Sequence, residues 1–329
     1  EDGATSNVGT VSVSVTNSVG SDITFSVTGD IPYDSDERDV WQDQIAAHNL
    51  YSPSVFLVHL GDIKGGSGDC DEDVYSDMFE DITELDVPAF IVTGDNEWND
   101  CEDEEEAWDL WSQYFFDLEQ NFPGAPTNVE HQSGAYQNFA WVQNGVLFIG
   151  IRMVGGSKPS DSIWDQMLQD AADWCKEQFD DKVATVRAAV IFAQAGPDSK
   201  REDFFDQFEQ DAADFGKPVL YVHGDGHEWE YDYPFSGAPN VLRIQVDNGA
   251  SETPLEVTVT EDIDDPFDIV RDPLEAYTNI IPGFNPSLTM KTVGSGKVTL
   301  SPPGGLYRPG QVVFMKAEPA PGYEFRYWE

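Results

Sequence analysis

The sequence predicts an α/β layered domain followed by a small all-β domain. Short apolar runs of strand type alternate with segments whose apolar residues recur every three or four positions, which is typical of layered α/β folds. The composition then changes near Pro273. With 329 residues, 40% of them hydrophobic, the chain is long enough to bury a large core.

The strand predictions follow the chain in order. Residues 1–21 are rich in Ser, Thr, Val and Gly, and their alternation predicts an edge strand. The apolar runs that predict strands cover residues 23–28, 55–60, 89–93, 146–151, 189–193, 219–223, 241–246 and 255–260. Because no helical segment separates the last two runs, we expect the domain to end in antiparallel strands.

Apolar stripes at helical spacing predict the helices between these strands. The stripes are Val74, Met78, Ile82 and Leu85; Trp108, Trp111, Phe115 and Leu118; Trp164, Leu168, Ala171 and Cys175; and Phe204, Phe208, Ala212 and Phe215. We interpret their aromatic residues as core. The acidic run 102–106 is expected to open a helix, because carboxylates complement the N-terminal end of the helix dipole.

Residues 286–329 have a different composition from the rest of the chain. They carry five basic and three acidic side chains, whereas the whole chain has a net charge of -45. Strand-like runs alternate with Gly and Pro turns and close on Gly322-Tyr323-Glu324-Phe325-Arg326-Tyr327-Trp328. This stretch of sequence resembles the bacterial surface-protein repeat of the internalin B type. The expected parts are an N-terminal segment 1–21, an α/β domain 22–270, a linker 271–285 and the repeat 286–329.

The acidic surplus excludes several classes of partner. The 62 Asp and Glu against 17 Lys and Arg repel nucleic-acid backbones and anionic lipid surfaces, and they favour small substrates over anionic polymers. A hydrated acidic surface suits salty surroundings, as in a halophilic or marine bacterium. The apolar runs are far shorter than the roughly 20 residues of a membrane span. We expect a monomer that is the mature part of an exported protein, its signal peptide removed.

A recurring Gly-Asp dipeptide points to a metal centre. Four of the five copies follow strand-like runs and place Asp30, Asp62, Asp95 and Asp225 behind a glycine, whereas Gly68-Asp69 lies in a predicted loop. Because the carboxyl ends of parallel strands meet at one crevice, we expect the four carboxylates to lie together. Crowded carboxylates repel one another unless their pKa values rise or a cation holds them. Since acids are abundant here, a single such Asp would mean nothing, but four in the same context favour a cation.

The order Asp30, Gly61-Asp62, Gly94-Asp95-Asn96-Glu97, Gln194 and Gly224-Asp225-Gly226-His227 resembles the calcineurin-like metallophosphoesterases over about residues 22–262. The family pattern is D-x-H, G-D, G-N-H-[ED], a lone His and G-H-x-H. The resemblance implies a four-layer α/β/β/α sandwich that hydrolyses phosphoesters with two divalent metal ions. This sequence departs from the pattern at Pro32, Asp95-Asn96, Gln194 and Asp225, so most nitrogen ligands have become oxygen ligands.

Carried over by position, the resemblance implies that Asp62 bridges two metals. Asp30 and His227 would complete one site, and Asp95, Asp225 and Gln194 the other. Asp95, Asn96 and His227 are the expected catalytic residues. Asn96 stands where the family's His meets the substrate, and an amide cannot donate a proton as imidazolium does. Oxygen-rich ligation favours Mn, Mg or Ca, while Zn and Fe stay open.

Further side chains near these turns are assigned supporting roles. Tyr33 and Lys64 each follow a Gly-Asp turn and could reach a phosphate oxygen, although a loop-packing role is equally open. His59 and His223 lie on strands and are expected to be buried behind the ligands. His48 and His131 have no motif around them and are assigned to the surface.

The cysteines give evidence about the cellular compartment in which the protein works. Cys70 lies eight residues after Asp62 and Cys101 six after Asp95, so the two would be neighbours if both turns share a crevice. A disulfide there would indicate an oxidising, extracytoplasmic setting, secreted or at the cell surface. Two free thiols in a cytosolic protein remain the alternative. Cys175 is expected to be a buried thiol.

The sequence thus favours a metal-dependent phosphoesterase acting on a small monoester or diester. The repeat could attach it to a cell surface or glycan. One alternative is a catalytically inactive phosphoesterase fold that serves as a metal-stabilised surface or adhesion module. Another is a glycan-binding protein, suggested by the repeat and the nine Trp.

Overall fold

The computed structural model describes residues 22–274, 296–301 and 314–320. Its strands are β1 (Ile23–Thr28), β2 (Leu57–His59), β3 (Ala89–Ile91), β4 (Glu130–Gln132), β5 (Ala135–Gln143), β6 (Val146–Gly150), β7 (Ala188–Ala193), β8 (Val219–His223), β9 (Glu230–Asp232), β10 (Val241–Gln245), β11 (Leu255–Val259), β12 (Phe267–Val270), β13 (Gly296–Ser301) and β14 (Phe314–Pro319). Its helices are α1 (Ser35–Tyr51), α2 (Glu72–Ile82), α3 (Glu104–Phe115), α4 (Asp161–Lys182) and α5 (Glu202–Phe215), with a 3-10 helix at Leu118–Asn121.

Two mixed sheets form the body of the protein. The five-stranded sheet has the order β12-β11-β1-β2-β3, and the seven-stranded sheet has the order β4-β5-β6-β7-β8-β10-β9. In the first sheet β1, β2 and β3 are parallel, while β11 and β12 are antiparallel additions. In the second, β6, β7, β8 and β10 are parallel. The parallel strands of each sheet therefore present their carboxyl ends at one edge.

The hydrophobic core has three parts, which define four layers. One cluster lies between the sheets and includes Phe25 and Phe148. A second joins the five-stranded sheet to α1, α2 and α3 around Trp41. A third packs α4 and α5 on the outer face of the seven-stranded sheet. Because β6 sends Phe148 to one cluster and Ile149 to the other, both faces of this strand are buried. The predicted α/β/β/α sandwich is confirmed.

Local sequence signals explain where the helices begin and end. The Asp34 side chain accepts hydrogen bonds from the first backbone amides of α1, and Ser160 does the same for α4. Gly216, at φ 66°, ends α5 in the left-handed conformation that glycine adopts without strain. The acidic run is confirmed as the start of α3, where the Asp103 side chain caps Glu106 N.

The predicted strands and helices are present, and the observed strand ends lie within two residues of the predicted ones. The structure also contains elements that the sequence patterns did not reveal. These are α1, β4, β5, β9 and β12. The antiparallel end of the domain is confirmed, because β11 pairs antiparallel with β1 and β12. The assignment of His48 to the surface was wrong: its side chain is buried and its Nε2 lies 3.0 Å from Ser26 Oγ. The predicted edge strand in 1–21 lies outside the described residues.

The described part of the repeat is a two-stranded antiparallel hairpin of β13 and β14. The domain boundaries proposed from composition stay predictions. Among the residues described, the helices are all too short or too polar to cross a lipid bilayer.

Candidate metal centre

Sharp turns at the ends of β1, β2 and β8 direct aspartates into one crevice. Asp30, Asp62 and Asp225 all have left-handed backbone conformations, with φ of 57°, 58° and 68°. Asp and Asn tolerate this region better than most residues with a Cβ atom. Asp95 follows β3 at the same sheet edge. The four aspartates that the sequence singled out therefore lie together.

Three of these carboxylates form a compact cluster. Asp62, Asp95 and Asp225 each offer an oxygen within 4.8 Å of the other two. Burial and the Asp225 charge raise the pKa of Asp95 to about 6. The pKa of Asp62 is raised well above its usual range by burial and by the charges of Asp95 and Glu97. Without a cation, the cluster is thus electrostatically unfavourable.

Gln194 meets this cluster with its amide nitrogen. Its Nε2 donates to Asp95 Oδ1 at 2.5 Å and to Asp62 Oδ2 at 3.2 Å, while its Oε1 accepts the backbone N–H of Gly155 at 2.7 Å. In this orientation the amide stabilises two carboxylates by hydrogen bonding. Ligation of a metal would need the oxygen to face the cluster, so the ligand role of Gln194 stays a prediction.

A second group of side chains surrounds Asp30. Its Oδ1 accepts from the Tyr33 hydroxyl at 3.1 Å and from Asp225 N at 3.2 Å, and lies 3.2 Å from His227 Nε2. Tyr33 Oη is also 2.8 Å from His227 Nε2. Hydrogen bonding to Asp30 raises the pKa of His227, and burial raises that of Tyr33. Asp30 Oδ2 is buried and has no hydrogen-bond partner, so it is available to a cation.

Glycines let the backbone pass close to the carboxylates. A Cβ atom on Gly94 would lie 2.2 Å from Asp62 Oδ1, and one on Gly155 would lie 2.7 Å from both carboxylate oxygens of Asp225. Since real Cβ atoms do not approach oxygens this closely, a side chain at either position would displace the aspartate. Gly155 lies on the loop after β6, which the sequence did not indicate as part of the site.

The side chains of Asn96 and Lys64 donate hydrogen bonds to nearby backbone carbonyl oxygens. Asn96 Nδ2 donates to Lys64 O at 2.9 Å, and Asn96 N donates to Asp62 Oδ1 at 3.3 Å. Lys64 Nζ donates to the carbonyl oxygens of Gly65 and Asn96 at 2.7 and 3.1 Å. Both side chains therefore brace the loops after β2 and β3. A substrate-binding role for either stays a prediction.

His59 and His223 are buried behind the turns, as predicted. His59 Nε2 lies 2.9 Å from Ile31 O, and its Nδ1 accepts the Gly61 N–H at 3.2 Å. It therefore ties the Asp30 turn to the Asp62 turn, and burial lowers its pKa to about 4. His223 Nδ1 lies 3.0 Å from Gly224 O, and burial lowers its pKa to about 3.

Two charged residues near the crevice were missed by the sequence reasoning. Glu97 is fully buried and accepts the N–H groups of Gly94 at 2.5 Å and Ile63 at 3.3 Å. Its place in the Gly94-Asp95-Asn96-Glu97 motif was a signal that could have revealed it. Arg201 is 5% exposed; burial raises the pKa of Asp225, and the Arg201 charge opposes that rise. No sequence motif marks Arg201.

The predicted disulfide is confirmed between Cys70 and Cys101, with Cα atoms 5.9 Å apart. It joins the loops that follow Asp62 and Asp95. Cys175 is a buried free thiol, as expected. Of the eight Trp within residues 22–274, six are buried in the core.

These residues fit a divalent cation. The donor set consists of carboxylates with one imidazole, the buried Asp30 Oδ2 lacks a partner, and glycines leave room beside the carboxylates. Hard or borderline divalent ions suit such oxygen-rich ligands.

Comparisons with known proteins agree with the fold. Residues 287–329 match the family described as the divergent InlB B-repeat domain, which confirms the predicted repeat. The chain is similar to the solved structure of GAP50, described as the anchor in the inner membrane complex of Plasmodium. The identity is 13% over 77% of this chain and 85% of that chain, with a TM-score of 0.50. At this identity the likeness concerns the fold alone. No curated protein sequence matches the chain.

Two solved enzymes are also similar. NAD nucleotidase of Haemophilus influenzae has 11% identity over 76% of this chain and 49% of that chain, with a TM-score of 0.41. Purple acid phosphatase PPD1 from yellow lupin seeds has 11% identity over 77% of this chain and 48% of that chain, with a TM-score of 0.44. The matched region spans about half the length of each enzyme.

Proposed function

We propose that the protein is a metal-dependent hydrolase of small phosphoesters. The observation that carries the proposal is the convergence of Asp62, Asp95 and Asp225 from three different strand ends, each with a carboxylate oxygen within 4.8 Å of the other two. The neighbouring Asp30 and His227 supply donors for a second. Salt bridges within the protein do not account for this cluster, because its carboxylates outnumber the basic side chains near them.

In this proposal Asp95 and Asp225 would hold one ion, Asp30 and His227 would hold another, and Asp62 would serve as a ligand as well. Divalent ions held there would supply Lewis-acid binding of phosphoryl oxygens and a water of lowered pKa. The Tyr33 phenol keeps its proton, because burial raises its pKa, and it would donate to a substrate oxygen by giving up its hydrogen bond to Asp30 Oδ1. The Asn96 amide can hydrogen-bond a leaving group but cannot protonate it. Esters with good leaving groups are therefore the preferred substrates.

An extracytoplasmic location belongs to the same proposal. The Cys70–Cys101 disulfide persists in oxidising surroundings, and the repeat belongs to a family described from a bacterial protein of the internalin type. In this proposal the repeat attaches the hydrolase to a cell surface.

The test is an assay with 4-nitrophenyl phosphate and bis(4-nitrophenyl) phosphate after loading with Mn²⁺, Zn²⁺ or Ca²⁺. We expect turnover of at least one ester with at least one metal, and we expect the Asp62→Asn variant to lose it together with metal. Asp69→Asn is the matched control, because Asp69 follows Gly68 in the same dipeptide but is exposed in a loop. Full activity of the Asp62→Asn variant would refute the proposal.

One observation favours a second candidate, an inactive fold that serves as a surface module. The Gln194 amide already donates to Asp62 and Asp95 and so reduces the need for a cation. This candidate predicts a folded protein that turns over neither ester under any metal, even when the metal is bound.

A further inference from the structure

A second group of potential ligands lies away from the aspartate crevice. Asp117, Glu119 and His131 each offer a ligand atom within 4.8 Å of the other two. Asp117 and Glu119 lie at the 3-10 helix that follows α3, and His131 lies on β4. His131 has no sequence motif around it and was expected at the surface, but its side chain is only 15% exposed.

The His131 imidazole is oriented by its neighbours. Its Nδ1 lies 2.7 Å from Tyr136 O, and its ring stacks on the Tyr136 ring with centroids 4.0 Å apart. A carbonyl oxygen only accepts hydrogen bonds, so Nδ1 carries a proton. His131 Nε2 then faces Asp117 Oδ1 at 3.2 Å. Because neutral Nε2 and the carboxylate are both acceptors, a proton or a metal ion must lie between them.

Glu119 is the independent observation that favours a metal ion. It is 5% exposed, and among the described residues the donor that reaches its carboxylate is its own backbone N–H. Asp117 accepts the Tyr136 hydroxyl at 2.8 Å, whereas no side-chain donor within residues 22–274 reaches Glu119. One proton on His131 would leave two carboxylates facing a single positive charge. A divalent cation balances both.

The space beside the cluster suits one small occupant. A cavity of about 20 Å³ adjoins it, lined by Asp117, Glu119 and His131 together with aromatic side chains. This volume is enough for one water molecule, which could complete a coordination shell.

We propose that Asp117, Glu119 and His131 bind a divalent cation of the Zn²⁺ type. Imidazole nitrogen and carboxylate oxygen are both ligands of Zn²⁺, and imidazole disfavours Mg²⁺ and Ca²⁺. The Nδ1 hydrogen bond to a backbone carbonyl is the usual support of a metal-binding histidine.

The role of this ion is structural. The 3-10 helix contacts β3, the edge strand of the five-stranded sheet, while β4 is the edge strand of the seven-stranded sheet. A cation held by both elements therefore fastens the two sheets together at one edge. The inference does not depend on the proposed hydrolase activity.

The experiment counts Zn²⁺ ions per chain by elemental analysis after equilibrium dialysis. Glu119→Gln and Asp117→Asn each retain size and remove a charge, and Asn tolerates the left-handed conformation of Asp117, at φ 56°. We expect each variant to bind one ion fewer than the wild type. The matched control is Glu130→Gln, which removes an exposed charge from the same strand as His131.

The same proteins are melted with and without Zn²⁺. We expect the ion to raise the Tm of the wild type and of Glu130→Gln by more than that of the two site variants. Unchanged Zn²⁺ counts in both site variants would overturn the proposal, leaving an ordinary ion pair between His131 and Asp117. If a site variant fails to fold, the His131→Gln variant takes its place. We expect it to bind one Zn²⁺ ion fewer than the wild type, and an unchanged number of bound ions would overturn the proposal.

Discussion

Glu97 shows how one buried side chain can shape the crevice without pointing into it. Its two oxygens accept backbone N–H groups on the turns that carry Asp62 and Asp95, and burial raises its pKa to about 7. The carboxylate thus fixes the distance between two of the proposed ligands. Positioning of this kind depends on contacts between distant parts of the chain.

Replacing Glu97 by Gln tests this role. The new NH₂ group would face a backbone N–H, so one buried donor loses its acceptor, at a cost of about 1–3 kcal/mol. We expect a lower free energy of unfolding in urea and weaker Mn²⁺ binding. The exposed Glu102→Gln is the control and should behave as the wild type. Equal stability and metal affinity in both variants would show that Glu97 does not hold the turns.

His48 makes a separate prediction about acid stability. Burial lowers its pKa to about 4, against about 6.5 in an unfolded chain. Between these two values the unfolded chain binds the extra proton, so stability falls as the pH falls, by up to about 1.4 kcal/mol per pH unit. We expect the His48→Gln variant, measured by urea unfolding without metal, to lose less stability than the wild type between pH 6.5 and 4. Parallel losses in both proteins would rule out this contribution.

The sequence predicted the proposed ligands better than their surroundings. Asp30, Asp62, Asp95 and Asp225 stand behind glycines at strand ends, and that local signal predicts a shared crevice. The burial of His48 and the approach of Arg201 arise from helices packing on sheets, which no local pattern encodes. The orientation of the Gln194 amide likewise depends on Gly155, a residue 39 positions away.

At the scale of elements, the loops after β2 and β3 are joined by a covalent link. The Cys70–Cys101 disulfide spans 31 residues and lies beside the backbone of Asn96. Without the disulfide, the two loops would have more conformational freedom, both in the unfolded chain and in the native crevice.

Replacing both cysteines by Ser should lower stability by about 3–4 kcal/mol, as expected from the entropy of a loop of this length. The Mn²⁺ affinity should fall as well, because Asp62 and Asp95 lose a common constraint. Reductant should lower the Tm of the wild type and of a Cys175→Ala control, but not that of the double variant. A wild-type Tm that reductant leaves unchanged would show that the link contributes nothing to stability.

Three of the elements that the sequence did not reveal, α1, β4 and β9, lack an apolar pattern of their own. Helix α1 is largely polar, with acidic and basic side chains along its first half up to Asp43, and β4 and β9 are three-residue edge strands. Their stability comes from partners in the fold, so a search for apolar periodicity passes over them. By contrast, β1 alternates Ile, Phe and Val with Thr and Ser, β8 is mainly apolar, and both strands were predicted at their observed bounds.

At the scale of the whole molecule, the net charge of -45 opposes compaction. Carboxylates repel one another over a Debye length of about 10 Å at 0.1 M salt and about 3 Å at 1 M. Salt should therefore stabilise this fold.

Raising NaCl from 0.1 to 1 M is expected to raise the Tm of the metal-free protein by several degrees. Sucrose at matched osmolality is the control, because it does not screen charge. If NaCl and sucrose raise the Tm equally, charge repulsion is not the cause.

The central claim is that aspartates from separate strand ends hold a metal ion. Anomalous diffraction from crystals grown with Mn²⁺, recorded on both sides of the manganese absorption edge, tests it most directly. We predict a manganese peak in contact with the carboxylate oxygens of Asp62, Asp95 and Asp225. A well-ordered crevice without such a peak, in which the Gln194 amide still donates to Asp62 and Asp95, would contradict it.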